Sequence, residues 1–278
     1  MEAGAALVRA LIDAGIDTAF TVPGESFLAV LEALRLNRNR VRLISVRQEG
    51  GGTLAAHGYG QSRNFPAAVF VSRGPGATNA AIGVHAAHQD SVPLILFIGQ
   101  VRSHMKGREA FQEIDPHSAF ESMAKAVLEP RTADELPAMA RRAIEISIDG
   151  RPGPVVVVMP RDFGETDVEA LDQAKSVRRI QYSADMSVLQ DLKVVLNAAK
   201  RPVILAGELA RSIEARNALG DFARQISAPV LCAYRCQDAL DNSDPNYAGH
   251  LEINPVPYQK DLIEIPETIR KSIEIISV

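Results

Sequence analysis

A chain of 278 residues with 46% hydrophobic side chains can fold as one large or two modest globular domains, which excludes wholesale disorder. The net charge of −4 is spread along the chain with no basic stripe and no tryptophan, so a small-molecule ligand is expected rather than nucleic acid. No apolar run reaches the about 18 residues of a membrane span, and the N-terminus lacks a signal-peptide pattern. No membrane and a cytoplasmic location are therefore the expectations. Cys232 and Cys236 stand four apart without neighbouring ligands, which reads as two ordinary thiols rather than a zinc site or a disulfide framework.

Helical and extended patterns alternate from the start. Ala5, Leu7, Val8, Leu11 and Ile12 form a helical stripe ending at Gly15, and Thr18 to Val22 form a strand closed by Pro23-Gly24. Helices follow at Ser26 to Leu36, Glu49 to Gly60, Pro75 to His88 and Ala133 to Ile148. Between them, Val41 to Val46, Ala67 to Val71, Pro93 to Ile98 and the β-branched Pro154 to Met159 read as strands. This rhythm predicts an α/β fold, an open parallel sheet with helices on both faces, over residues 1–165.

The composition then turns polar, so residues 166–184 read as a linker. A second rhythm follows, with helices at Val188 to Ala199 and Ile213 to Ile226 and strands at Pro202 to Ala206 and Pro229 to Ala233. Two or three parallel strands cannot bury both faces, so residues 185–250 read as a partial second α/β domain. Residues 251–278 form an atypical tail with no clear βαβ continuation.

Two stretches carry chemistry. The run "VSRGPGATN" at 71–79 follows an apolar strand and precedes a helix. It lacks the third glycine of a dinucleotide fingerprint and the lysine of a phosphate loop. It reads as a strand–loop–helix junction, either a plain turn and cap or a place where glycines admit a ligand to the backbone. In "RQEGGGTLAAHGYG" at 47–60, Glu49 begins a helix ahead of three glycines, where the dipole favours the carboxylate and burial opposes it.

Together with "TVPGES" at 21–26, "REAFQEID" at 108–115 and "GRPGPVVVVMPRD" at 150–162, these stretches resemble, in this order, thiamine diphosphate-dependent enzymes of the acetolactate synthase-like branch. The resemblance runs continuously over residues 1–165 and more loosely to about residue 250. It implies that residues 1–165 form the pyrimidine-binding domain. Glu49 matches the catalytic glutamate that hydrogen-bonds the aminopyrimidine and so promotes ylid formation. Gly74, Pro75, Gly76 and Asn79 match positions around the ring, as do Val22, Pro23 and Gly24. Val22 stands where many acetolactate synthases carry tyrosine. Gln112, with Phe111 beside it, matches a glutamine facing the reacting centre.

Further polar residues admit two readings each. His85 and His88 could touch substrate or make structural and interface hydrogen bonds, and His57 could tune Glu49. His104 lies in a loop suited to substrate access. Arg73 replaces a small residue common before the Gly-Pro-Gly and could bind an anionic group or simply be solvated.

The resemblance further implies thiamine diphosphate and Mg2+ as cofactors, the metal held by a Gly-Asp-Gly domain whose motif does not occur in these 278 residues. FAD binds some relatives and is not assigned. The expected function is decarboxylation of a 2-oxoacid, transfer of the resulting acyl carbanion equivalent, or both. The chain would supply the aminopyrimidine-activating half of the site and be inactive alone. The expected partners are a 2-oxoacid and a second copy, as a homodimer or homotetramer, or a separate chain bearing the diphosphate domain. Helices near 50–60 and 76–89 would lie near the interface. A noncatalytic or regulatory binding module is the alternative.

Overall fold

In a computed structural model, residues 1–169, 177 and 183–263 are described. They fall into two compact units, 1–180 and 181–278. In the first, α1 (Ala3–Ala14), β1 (Thr18–Thr21), α2 (Leu28–Leu36), β2 (Arg42–Ser45), α3 (Glu49–Arg63), β3 (Ala68–Ser72) and α4 (Arg73–Gln89) follow in strict alternation. Next come β4 (Leu94–Gln100), α5 (Pro116–Phe120), β5 (Ala126–Leu128), α6 (Glu135–Ile148), β6 (Pro154–Pro160) and α7 (Arg161–Gly164).

The six strands are all parallel in the order β2-β1-β3-β4-β6-β5. The α/β fold with a parallel sheet is thus the one the rhythm predicts. β5 and the short α5 are additions to the sequence reading, which assigned no element between 101 and 132. β5 has three half-buried residues at the sheet edge, too short for a periodic signal.

Alternation along the central strands builds two cores. Ala68, Phe70, Ile95, Phe97, Val155 and Val157 face one way, against α1, α2 and α6. Val69, Val71, Leu94, Leu96, Ile98 and Val156 face the other way, against α3, α4 and α5. Both faces are covered, so β3, β4 and β6 read as unbroken apolar runs. On the first face Phe70 and Phe97 stack with ring centroids 4.8 Å apart. Gly15 ends α1 at φ +113°, where its amide reaches the Ile12 carbonyl and the Ile16 amide reaches Leu11, a left-handed cap that glycine takes without strain.

On the second face α3 and α4 pack at unusually short range. A Cβ on Gly83 would stand 2.3 Å from Thr53 Oγ1 and 2.6 Å from the Thr53 carbonyl carbon. Thr53 Oγ1 donates across the seam to the Ala80 carbonyl, 3.0 Å away. After α7, Ala3 donates to the Thr166 carbonyl and Val168 to the Met1 carbonyl, so residues 166–168 lie along the N-terminus. The remainder of the stretch read as a linker lies largely outside the described residues.

The second unit contains α8 (Met186–Ala198), β7 (Ile204–Ala206), α9 (Ile213–Ile226), β8 (Val230–Cys232), β9 (Tyr247–His250) and α10 (Pro257–Ile263). Its sheet is parallel, β7-β8-β9, over a core that includes Ile204, Leu219, Ala223 and Val230. Both cysteines are free and buried, and desolvation pushes their thiols up, as expected of ordinary thiols. β9 pairs with β8 at the end of the stretch read as a partial domain, and α10 lies within the stretch read as a tail; residues 264–278 lie outside the described set. β9 was illegible because its four residues are only half-buried and carry no alternating pattern.

The glycine seam can be tested directly. Gly83→Ala overpacks it against backbone, and a loss of about 1–3 kcal/mol is expected. In urea the unfolding midpoint should fall at unchanged slope.

Candidate functional site

The strand order reverses at β1, with β2 on one side and β3 on the other, and ligands of open α/β sheets bind outside the carboxyl ends of strands at such a point. The expected site residues gather at these ends. Val22, Pro23 and Gly24 follow β1, Glu49 opens α3 after β2, and Gly74, Pro75, Gly76 and Asn79 lie in the first two turns of α4 after β3. Gln112 lies in the segment after β4.

The junction read at 71–79 has no separate loop, and its helix, read from Pro75, begins two residues earlier at Arg73. Ser72 is still extended, Arg73 alone takes a left-handed φ of +47°, and the chain is helical from there. Gly74 and Gly76 have no positive φ, and Pro75 sits where a helix needs no amide hydrogen. What the glycines supply is room. A Cβ on Gly74 would stand 3.0 Å from the Gln112 carbonyl oxygen, and one on Gly76 3.2 Å from Val71 Cβ and 3.6 Å from Glu49 Oε1.

Glu49 is the first residue of α3, half-buried, with Gln48 capping the helix through a 2.9 Å bond from the Gly51 amide to its Oε1. Asn79 Nδ2 donates to Glu49 Oε2 at 3.0 Å. Oε1 accepts no hydrogen bond among the described residues. Two helix N-termini therefore meet at one carboxylate, with one oxygen fixed by an amide and the other open.

A second cluster joins three segments. Ser26 Oγ lies 2.7 Å from Ser72 Oγ, and a Cβ on Gly24 would stand 2.5 Å from Ser72 Cβ, so the Val22-Pro23-Gly24 turn is pressed onto the end of β3. The Gly74 amide donates to the Gln112 carbonyl at 2.9 Å. The side chains of Phe111 and Gln112 are exposed, and no hydrogen bond joins Gln112 to Glu49 or Asn79 among the described residues. Of the two readings of Arg73, anion binding or simple solvation, the structure rules out the second: its side chain is 10% exposed and Nη2 donates to Glu25 Oε1 at 2.6 Å.

The histidines divide. His57 lies two turns along α3 from Glu49 and 2.9 Å from Asp90 Oδ2, so it is not placed to tune the carboxylate. His85 is exposed and His88 half-buried towards the far end of α4, and His104 sits in a short 3-10 turn, Ser103–Met105. Gln48, Thr53 and the Glu25–Arg73 pair were not legible as site-building residues. Glutamine is an uncommon cap, and nothing in a sequence links residues 48 positions apart. A cavity of about 500 Å3 lined by Asp17, Tyr59 and Arg63 opens at the amino ends of the strands, away from Glu49.

Comparison with known proteins identifies the family. The family model "Thiamine pyrophosphate enzyme, N-terminal TPP binding domain" matches residues 1–119, and "Thiamine pyrophosphate enzyme, central domain" matches residues 189–265. The chain belongs to the thiamine pyrophosphate enzyme family. Its relatives place it in the acetolactate synthase-like branch, with the N-terminal domain and part of the central one. It is 30% identical to the acetolactate synthase large subunit of Haemophilus influenzae, over 92% of this chain and 47% of that protein. The Buchnera aphidicola (Acyrthosiphon pisum) large subunit is 34% identical over 81% of this chain and 40% of its own length. The chloroplastic acetolactate synthase of Arabidopsis thaliana is 31% identical over 92% and 40%. The chain thus spans somewhat less than half the length of these relatives.

In this thiamine pyrophosphate enzyme chain, burial, then Arg151 and His85, hold the His88 imidazole below its usual value. The unfolded chain therefore binds the proton more readily, and His88 removes stability as pH falls through its unfolded value of about 6.5. Thermal melts of wild type and His88→Gln should diverge between about pH 7 and pH 5, the variant losing less on acidification.

Proposed function

We propose that this chain is the aminopyrimidine-activating half of a thiamine diphosphate-dependent enzyme of the acetolactate synthase-like type, acting on a 2-oxoacid. The observation that carries the reading is the Glu49–Asn79 pair at the sheet's switch point, with Oε1 open beside Gly76. A carboxylate oxygen with no partner among the described residues, flanked by a position where the side chain is only hydrogen, suits a flat ring with a protonatable nitrogen.

Thiamine diphosphate supplies, when bound, an electron sink for the carbanion equivalent left as a 2-oxoacid loses carbon dioxide. Glu49 would hold a proton between Oε1 and a ring nitrogen, and Asn79 would keep the carboxylate turned by engaging Oε2. Gly74, Pro75 and Gly76 would border the ring, with Val22, Pro23 and Gly24 on the adjoining strand end. Gln112 and Phe111 would face the substrate. Mg2+ with the diphosphate would be held by a domain that carries the family's Gly-Asp-Gly, outside these 278 residues, and FAD is not assigned. A noncatalytic binding module that keeps the fold without the reaction is the competing reading.

Assembly around α3 and α4 fits the exposed surface there. Leu54 and Ile82 are 43% and 61% exposed, and Gly51 and Gly58 face open space. Calorimetric titration with thiamine diphosphate and Mg2+, of the chain alone and mixed with a polypeptide carrying the family's diphosphate domain, tests the main reading. Binding is expected in at least the mixed sample, and Glu49→Gln should cut 2-oxoacid turnover there by about 10²–10⁴-fold. Heat in neither sample, or a fully active Glu49→Gln, would favour the noncatalytic module. For assembly, Ile82→Glu should weaken self-association by about 30-fold or more, measured by light scattering across a dilution series.

A further inference from the structure

We propose that Arg73 is a positioning residue that clamps the Phe111–Gln112 segment to the carboxyl end of the sheet. The inference concerns the substrate side of the site and rests, for its catalytic consequence, on the function proposed above. Its structural part stands by itself.

Two strained residues meet at this point. Arg73 has φ +47° and Gln112 has φ +62°, and neither is glycine. Such left-handed conformations are strained for a residue that carries a Cβ and persist where surrounding contacts fix them. The Gly74 amide, one residue after the first, donates to the carbonyl of the second at 2.9 Å. A Cβ at Gly74 would crowd the Gln112 carbonyl oxygen at 3.0 Å, so the two strained turns are seated closely against each other.

The guanidinium spans what the backbone begins. Nη2 donates to Glu25 Oε1 at 2.6 Å and Nη1 to the Phe111 carbonyl at 3.3 Å, with Cζ 6.0 Å from the Phe111 ring centroid. One planar fork therefore ties the turn after β1 to the segment after β4, and it does so from the β3–α4 junction between them. Within the segment, Glu113 accepts from the amides of Gly107 at 2.5 Å and Ala110 at 3.0 Å, and these bonds hold its carboxyl below the usual range. At its base, Gln100 Nε2 donates to the Ile114 carbonyl at 2.7 Å. Glu113 and Gln100 shape the segment, while Arg73 and Gly74 attach it to the elements that carry Glu49 and Asn79.

An anion receptor would use the same arginine differently, presenting its charge to substrate. Here the charge is opposed by Glu25, with Arg161 Nη1 also 3.8 Å from the same oxygen. Nη1 and Nη2 are committed to protein acceptors, and Nε stays buried with no partner among the described residues. Lysine cannot reproduce this, because a single ammonium can keep the Glu25 pair but not both directions.

Amide hydrogen exchange on the whole chain tests the clamp. In Arg73→Lys the Gly74 and Glu113 amides should exchange about tenfold faster, with amides of β4 and β6 unchanged. Glu25→Gln, a change at an exposed side chain, should speed the same amides in the same direction and decides the matter if Arg73→Lys does not fold. Unchanged exchange in a folded variant overturns the proposal. In the assembled enzyme, Arg73→Lys should raise KM for the 2-oxoacid about tenfold and leave thiamine diphosphate affinity as it was. An equal loss of both would show general damage and overturn the positioning role. Failure of the Glu49→Gln test would remove the catalytic reading and leave the exchange result standing.

Discussion

The site depends on how closely α3 and α4 approach each other. Gly83 brings the α4 backbone onto Thr53, and the Thr53 hydroxyl closes the seam on the Ala80 carbonyl. Because both helices begin directly after parallel strands, this approach sets their first turns side by side. Glu49 and Asn79, 30 positions apart, then meet at 3.0 Å. A wider helix spacing would part the amide from the carboxylate and leave a half-buried charge without its partner.

The first two turns of α4 serve two clusters. Gly76 and Asn79 lie against the carboxylate of α3, while Arg73 and Gly74 hold the segments after β1 and β4. Rigid elements thus position groups drawn from four strand ends, the arrangement a site needs when its reacting geometry must be kept to fractions of an ångström. The unbroken apolar runs of β3, β4 and β6 secure that platform, since both of their faces lie under helices.

The second unit is built more sparingly. Its three strands are three or four residues long, and α8 has no buried residue, with Val188 and Val194 61% and 69% exposed. By itself it has little surface on which to lay an amphipathic helix, in keeping with its match to part of a central domain.

The sequence by itself determined the fold class. Period-2 and period-3.6 patterns are local, and Phe70 or Val157 reports its burial through its neighbours in the chain. It also determined which residues would stand at strand ends, because Glu49 and the Gly-Pro-Gly run follow directly after apolar strands. Short, half-buried elements such as β5 and β9 left no such trace. Only the tertiary structure decided what the glycines are for. Gly74 and Gly76 read as part of a strand–helix junction and prove to lie in the first turn of α4, where a Cβ would crowd the Gln112 carbonyl and Val71. It alone joined Arg73 to Glu25 and Phe111, and Glu49 to Asn79. Contacts between residues 30 to 48 apart depend on sheet order and helix spacing, and no local pattern encodes either.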